Sequence, residues 1–568
     1  MEYTVQFIDE GRGARVPAGT TLLEARIRAG LPADAPCGGR GTCKKCGARF
    51  RVDGGPWREG LMCQTPAEGD TEVRAARGGG ALRVLTDTAD LPERWDPAVK
   101  LVKAKVSPCA RGESTADWAR LAAALAAEGA AVEAPSVGVC AHLGKLLARR
   151  KGEVWAVVGG GRVLEVRADE PQACMAAFDL GTTTIAGYLI DVNRRQTVAA
   201  AGVPNPQARY GADVISRAEY ARANGVEALS DCVREALNGL LRSMCVRAGV
   251  SWERVFAVSL AGNTAMHHLF LGISPDSLVK APYNPTLSQA MALRAADYGL
   301  GANREALLFT LPVIGGFVGA DTVACLVSGD WTRREELSLM IDIGTNGELV
   351  LGDCRRRVAC STAAGPALEG ARIACGMRAE AGAVDRVWLE GGALRWHVIG
   401  GGPARGICGS GLVDLAAALL ARGEMDGGGR LAAGDRFDLG DTGVYLTQRD
   451  VRELQLAKAA MAAGLRLMAE RLGVGIGDIR RVDVAGAFGN SIDPDSACAI
   501  GLIPAELRDR IVPVGNAAGA GARRTRTDIA AWREAEALAG STEFLELGAL
   551  DAFQDEFVAQ MNFCEDAE

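Results

Sequence analysis

Long apolar runs are missing: no window of about 18 consecutive hydrophobic residues occurs in the 568-residue chain, which excludes a membrane-spanning helix of ordinary length. The start, Met1-Glu2-Tyr3, enters strand-like alternation at once without a basic and then apolar leader, so a cytoplasmic protein is expected. Basic charge is also in deficit. Against 70 Asp and Glu stand 63 Lys and Arg, a formal net charge of −7 with no basic stripe, which argues against a nucleic-acid surface and for a protein partner or small ligand. Histidine is rarer still. Only His142, His267, His268 and His397 occur, none paired at the spacing of a metallohydrolase helix, and the adjacent His267-His268 reads as packing at a helix start. What is plentiful is length, enough for several separate cores, and cysteine, 16 in all. Most of these cysteines stand singly in apolar stretches, as Cys232, Cys245 and Cys498 do, and read as buried free thiols in a reducing compartment rather than as disulfides.

Four are different. Cys37, Cys43, Cys46 and Cys63 are spaced to hold an iron–sulfur cluster, and the loop Gly38-Gly39-Arg40-Gly41-Thr42 is small enough for its N–H groups to wrap cluster sulfurs. The plant-type [2Fe–2S] spacing differs by one residue in the first gap. The rival is structural zinc, but zinc ribbons present two C-x-x-C pairs and only Cys43/Cys46 is such a pair here. Tyr3, Val5 and Phe7 alternate as a strand, Arg15-Val16 precedes a turn, and residues 21–25 open a helix, the order of a ferredoxin β-grasp module that ends near Leu85 after a last strand, Leu82–Leu85.

The chain is thereby divided into a ferredoxin-type domain over 1–85, a polar Pro-bounded linker over 86–98, a middle domain over 99–172 and a long α/β domain over 173–568. The middle domain is expected to hold a strand over 101–106, helices over 116–128 and 142–150, and a strand over 155–158, with no chemistry of its own. Within the last domain one echo stands out. The segment Phe178-Asp179-Leu180-Gly181-Thr182-Thr183-Thr184 is answered 163 positions later by Ile341-Asp342-Ile343-Gly344-Thr345-Asn346-Gly347, which splits the domain into halves of 173–337 and 338–568. In each, an apolar strand ends in Asp, and a Gly/Thr turn aims backbone N–H groups and hydroxyls at one spot, a nest for phosphate oxygens. The Asp beside it suits the waters of Mg²⁺.

These paired motifs resemble the phosphate-binding hairpins of the actin, sugar kinase and heat-shock ATPase (ASKHA) superfamily. The resemblance implies ATP as ligand, with Gly181, Thr182, Thr183, Thr184, Gly344, Thr345 and Asn346 on its phosphates and Asp179 and Asp342 organising Mg²⁺ and the attacking water. It also implies a connecting helix after Gly315-Gly316-Phe317-Val318-Gly319-Ala320, whose Asp321 faces the nucleotide as a water-positioning base, and adenosine contacts at Gly409-Ser410-Gly411 and Gly486. On their own, Gly409–Gly411 also read as a helix N-cap and Gly486 as a turn residue.

The whole chain is similar to the reductive activators of corrinoid proteins. Three further runs, Asn205 to Arg217, Ala261 to His268 and Ser361 to Gly370, raise that similarity and receive no physical role from the sequence. The resemblance implies an ATP-hydrolysing enzyme that passes one electron from a [2Fe–2S] cluster to the cobalt(II) corrinoid of a methyltransferase-system protein, restoring cobalt(I). It further implies an upstream low-potential electron donor and dimer contacts through the middle domain. Two other readings share the hairpins: a small-molecule kinase with a fused redox module, and an ATP-driven electron donor to a non-corrinoid enzyme.

Overall fold

The computed structural model describes residues 2–563 apart from 9–10, 30, 32–45, 76–93, 134–135, 212, 345 and 490. The N-terminal unit is a mixed five-stranded sheet in the order Arg12–Pro17, Glu2–Phe7, Thr71–Ala75, Gly47–Val52, Arg58–Leu61, with helix Leu22–Arg28 against it. Alternation buries Val5 and Phe7 with Val16, Leu22, Ala48 and Val73, and the first strand runs parallel to Thr71–Ala75, as a β-grasp requires. The expected strand Leu82–Leu85 and linker residues 86–93 lie outside the described residues.

The next unit is an antiparallel sheet of Val99–Lys105, Glu153–Gly159 and Arg162–Arg167, covered by helices Asp117–Ala127 and Val137–Arg149. Val139, Leu143 and Leu147 form one apolar stripe at four-residue spacing, so the second helix starts before the expected residue 142. The third strand, absent from the sequence reading, is turned back by Gly160-Gly161 at φ +55° and +70°, the left-handed pair that a two-residue hairpin needs.

The remainder holds two six-stranded sheets built alike. Each begins with an antiparallel meander: Cys174–Leu180, Thr184–Asp191 and Gln196–Pro204 in one, Ser338–Ile343, Gly347–Gly352 and Arg357–Thr362 in the other. A parallel strand then adds beside the first strand of each meander, Val255–Gly262 and Arg481–Ala485 respectively. The sequence echo is thus a structural duplication, and this α/β architecture is the expected one. Between the halves sits a core of small residues from both, including Ala177, Ala186, Val323, Ala324, Met340, Ala485 and Ala522. Small side chains let helix Ala320–Ser328 pack very closely on helix Ala517–Thr527: a Cβ on Gly521 would stand 1.9 Å from the Ala324 carbonyl oxygen. Helix Ala517–Thr527, which the sequence places in the second half, packs on the first half's sheet, with Ser259 Oγ donating to Ala522 O at 2.8 Å. Its end also seats the incoming linker. Asp96 N and Ala98 N donate to Thr527 O and Arg526 O at 2.9 and 2.8 Å, and Ile529 N returns a bond to Asp96 O at 2.8 Å. No described helix is long and apolar enough to cross a membrane.

Candidate functional site

The register of the duplicated meanders decides where the chemistry converges. Asp179 is the penultimate residue of strand Cys174–Leu180, Asp342 occupies the same place in Ser338–Ile343, and Asp321 lies in the first turn of helix Ala320–Ser328. Directly across the strand pair from Asp342 stands Glu348. Charge on one carboxylate therefore acts on the others. Burial, reinforced by Asp342, pushes Asp179 up to about 7. Burial and the charges of Asp342 and Asp179 push Asp321 up to about 7. Asp342 is raised by burial to about 6. Glu348 is driven well above the ordinary carboxyl range by burial and by Asp321 and Asp342. The three aspartates remain half-buried while Glu348 is buried, so the cluster opens on the aspartate side. Four converging carboxylate side chains suit a hard divalent cation such as Mg²⁺, which takes oxygen ligands and keeps several waters.

Two neighbours steady the cluster. Asn516 Nδ2 donates to Asp179 Oδ2 at 2.9 Å from the N-cap of helix Ala517–Thr527, and Cys325 Sγ lies 3.9 Å from Asp342 Oδ2. Gly486, at φ +83°, sits against the same aspartate: a Cβ there would stand 2.7 Å from Asp342 Oδ1. A side chain at 486 would fill the cation's approach and strain the backbone.

The first turn is held by residues far away in sequence. Gly181 is required because a Cβ would stand 2.7 Å from Thr184 O. Asn205 donates through Nδ2 to Gly181 O at 2.8 Å and through its backbone N to Thr183 O at 2.9 Å. Arg217 Nη2 donates to Thr182 O at 2.7 Å, Asn263 Nδ2 to Thr182 Oγ1 at 2.8 Å, and Thr183 Oγ1 to the Glu369 carboxylate at 3.4 Å. These holders fall in the three runs to which the sequence gave no role. The signal was present in their polar residues, but their partners are separated by up to 186 positions. In the second turn Gly344 N donates to Asn346 O at 3.0 Å, and Thr345 lies outside the described residues.

Gly409, Ser410 and Gly411 open helix Gly409–Ala421. Ser410 Oγ donates to Asp385 O at 2.8 Å, and a Cβ on Gly411 would stand 2.3 Å from Val384 O. Their described contacts thus pack the helix start on strand Ala383–Glu390. His268 is structural: its Nδ1 is 2.8 Å from Thr264 O, and its Nε2 accepts from Thr286 N at 3.0 Å.

At the other end of the chain, Cys46 and Cys63 are buried and their sulfurs lie 3.2 Å apart. Gly47 pairs with Leu61, and Met62 N donates to Cys46 O at 2.9 Å, so strand register sets the thiols side by side. Two adjacent unlinked thiols fit a sulfur-ligated metal, iron or zinc. Cys37 and Cys43 lie outside the described residues.

The raised carboxyls have a pH consequence. Each binds its proton more tightly in the folded chain than unfolded, so its contribution to stability is complete below the ordinary carboxyl range and is lost as pH rises through about 6 to 7. A cation replaces those protons. The rise in melting temperature given by Mg²⁺ with nucleotide is therefore expected to be small near about pH 5.5 and larger near about pH 8, as differential scanning fluorimetry will read.

Comparison with known proteins matches three stretches to one family. Residues 336–568 match the C-terminal ASKHA domain of RACo, 174–333 the RACo middle region and 90–172 the RACo linker region. The corrinoid activation enzyme RamQ of Eubacterium limosum is 33% identical over 529 residues, covering 87% of this chain and 88% of that protein. A reductase of the Co(II) methylated amine-specific corrinoid protein from Methanosarcina barkeri is 28% identical over 381 residues, 61% of this chain and 68% of that one. Among solved structures, a reductive activator for corrinoid, iron–sulfur protein superposes with a TM-score of 0.76 at 30% identity, covering 99% of this chain and 98% of the other. Agreement of this kind along nearly the whole length, on top of the duplicated meanders and their converging aspartates, places the chain in the RACo family of reductive activators.

Proposed function

We propose that this protein is an ATP-dependent reductive activator that returns one electron to the cobalt(II) corrinoid of a methyltransferase-system protein, restoring cobalt(I). What carries this reading is that one chain joins converging carboxylates at twin phosphate turns to a β-grasp unit with Cys46 and Cys63 sulfurs 3.2 Å apart. The relatives' names point the same way, to corrinoid activation and Co(II) corrinoid reduction.

Cys37, Cys43, Cys46 and Cys63 hold a [2Fe–2S] cluster, which when bound supplies a one-electron couple near about −400 mV. Backbone amides and hydroxyls of Gly181, Thr182, Thr183, Thr184, Gly344, Thr345 and Asn346 grip the phosphates of ATP. Asp179 and Asp342 hold the waters of Mg²⁺, which neutralises phosphate charge, and Asp321 orients the attacking water and takes its proton. Phosphoryl transfer asks little covalent help of a protein, so this positioning provides most of the rate. Gly409, Ser410 and Gly411 with Gly486 complete the reading on the adenosine side. An upstream low-potential donor recharges the N-terminal domain, and the protein works in the cytoplasm, as a dimer joined through its middle domain.

Helix Ala517–Thr527 gives the two activities a physical connection. Its N-cap Asn516 bonds Asp179, and its last carbonyls bond the linker at Asp96 and Ala98. Coupling requires the nucleotide states to bind the partner differently, because equal affinity shifts no equilibrium.

The test is anaerobic reduction of a cobalt(II) corrinoid protein by the full chain and an artificial low-potential donor, followed by cobalt(I) absorption with ATP, with a non-hydrolysable analogue and with neither. Reduction is expected only with ATP, with release of free phosphate. Equal reduction without nucleotide, or a phosphorylated small molecule as product, overturns the reading.

A further inference from the structure

Arg217 is wholly buried, yet its guanidinium forms no ion pair among the described residues. Every bond it makes is to a neutral group: Nε donates to Gly211 O at 2.9 Å, Nη2 to Thr182 O at 2.7 Å, and Nη1 lies 3.5 Å from Gln207 Oε1 and 3.2 Å from Met266 Sδ. The nearby acids are otherwise engaged. Asp213 caps helix Val214–Asn224 through Ser216 N at 2.7 Å, and Glu369 accepts from Thr183 at 3.4 Å. A buried cation without a counter-charge costs several kcal/mol, by rough reckoning, relative to a paired one. Burial lowers its proton affinity only to about 10, so the group stays charged at neutral pH.

Its position indicates what completes it. Arg217 holds the carbonyl of Thr182, the middle of the first phosphate turn, and Asn263 holds the hydroxyl of the same residue at 2.8 Å. The opposite side of the pocket carries only carboxylates, Asp179, Asp321, Asp342 and Glu348. An anion in the turn is the group that lies between this fixed cation and the Mg²⁺ end. We propose that Arg217 is a positioning residue of the phosphate site whose missing counter-charge is the phosphate chain of the nucleotide, felt through Thr182 rather than by contact. At this range, inside protein, a unit charge still attracts a phosphate appreciably. The inference rests on the nucleotide reading of the hairpins.

A structural peg and a counter-charge are separable by grading the ligand's charge. Titration calorimetry of the full chain with ATP, ADP and AMP, each with Mg²⁺, is to be compared for wild type, Arg217→Gln and Arg217→Lys. For Arg217→Gln the expected loss of affinity is on the order of 10–100-fold for ATP, less for ADP and least for AMP, with Arg217→Lys keeping the wild-type grading. Equal losses for all three nucleotides, with Lys no better than Gln, overturn the inference and leave Arg217 a scaffold residue. Wild-type protein that binds none of them overturns the nucleotide reading itself, which is a different failure. Should Arg217→Gln not fold, the Arg217→Lys grading decides alone: retained, it supports the charge role, and flattened, it sinks it.

Discussion

Asp342→Asn removes ATP hydrolysis, by at least about 10²-fold, and leaves the visible spectrum of the N-terminal module unchanged. The substitution is nearly isosteric, so it keeps the fit against Gly486, where a Cβ would stand 2.7 Å from Asp342 Oδ1. What it deletes is the charge that acts on both other aspartates. Asp342 raises Asp179 and Asp321, so without it both ionise at lower pH, and the acid limb of any residual activity moves down. The effect stays local: the strand lies in the second-half sheet, and the thiols lie in the separate five-stranded sheet. Phosphate release and absorption spectra from one preparation check both halves of the expectation. Wild-type hydrolysis by the Asn variant removes Asp342 from the site.

The twin turns were legible because everything they need is local: a strand, an aspartate and a Gly/Thr bend within a few residues, repeated 163 positions later. What supports them was not. Asn205, Arg217, Asn263 and Glu369 act on Gly181, Thr182 and Thr183 through the fold, and no sequence window contains both ends of any of these bonds. Glu348 was in view, two residues after Asn346, but its place opposite Asp342 is a matter of strand register, which the hairpin's length alone does not set. Asn516 was equally silent, since it lies 337 positions from the aspartate it bonds. The start of helix Gly409–Ala421 shows the reverse case. Gly409-Ser410-Gly411 has the composition of a ligand turn, but Gly411 is needed where helix meets strand, and Ser410 spends its hydrogen on Asp385 O. Glycine permits close approach by backbone of either kind, so its presence could not distinguish nucleotide from strand.

Cys63→Ser produces the opposite dissociation: iron, sulfide and visible absorption are lost, cobalt reduction falls to background, and ATP hydrolysis continues at the wild-type rate. Serine keeps the shape of the side chain in the turn Met62–Gln64, where Cys63 is 6% exposed and packs with Val5, Phe7 and Leu22. It cannot replace a thiolate as a soft ligand. The buried hydroxyl adds a destabilisation of about 1–3 kcal/mol, which falls on the small N-terminal sheet and on no strand of the nucleotide site. Metal analysis, EPR and phosphate release on the purified variant report each part separately. Since Cys46 keeps its place beside residue 63 through Met62 N, which donates to Cys46 O at 2.9 Å, a half-ligated site is expected to lose metal rather than rearrange. A Ser variant that retains the full spectrum removes Cys63 from the ligand set, and wild-type protein that is colourless and carries zinc removes the electron-transfer role altogether. Together with Asp342→Asn, this makes each half of the proposed activity fail while the other survives, the pattern expected of two modules joined by a linker and one helix, and one that a single shared site cannot produce.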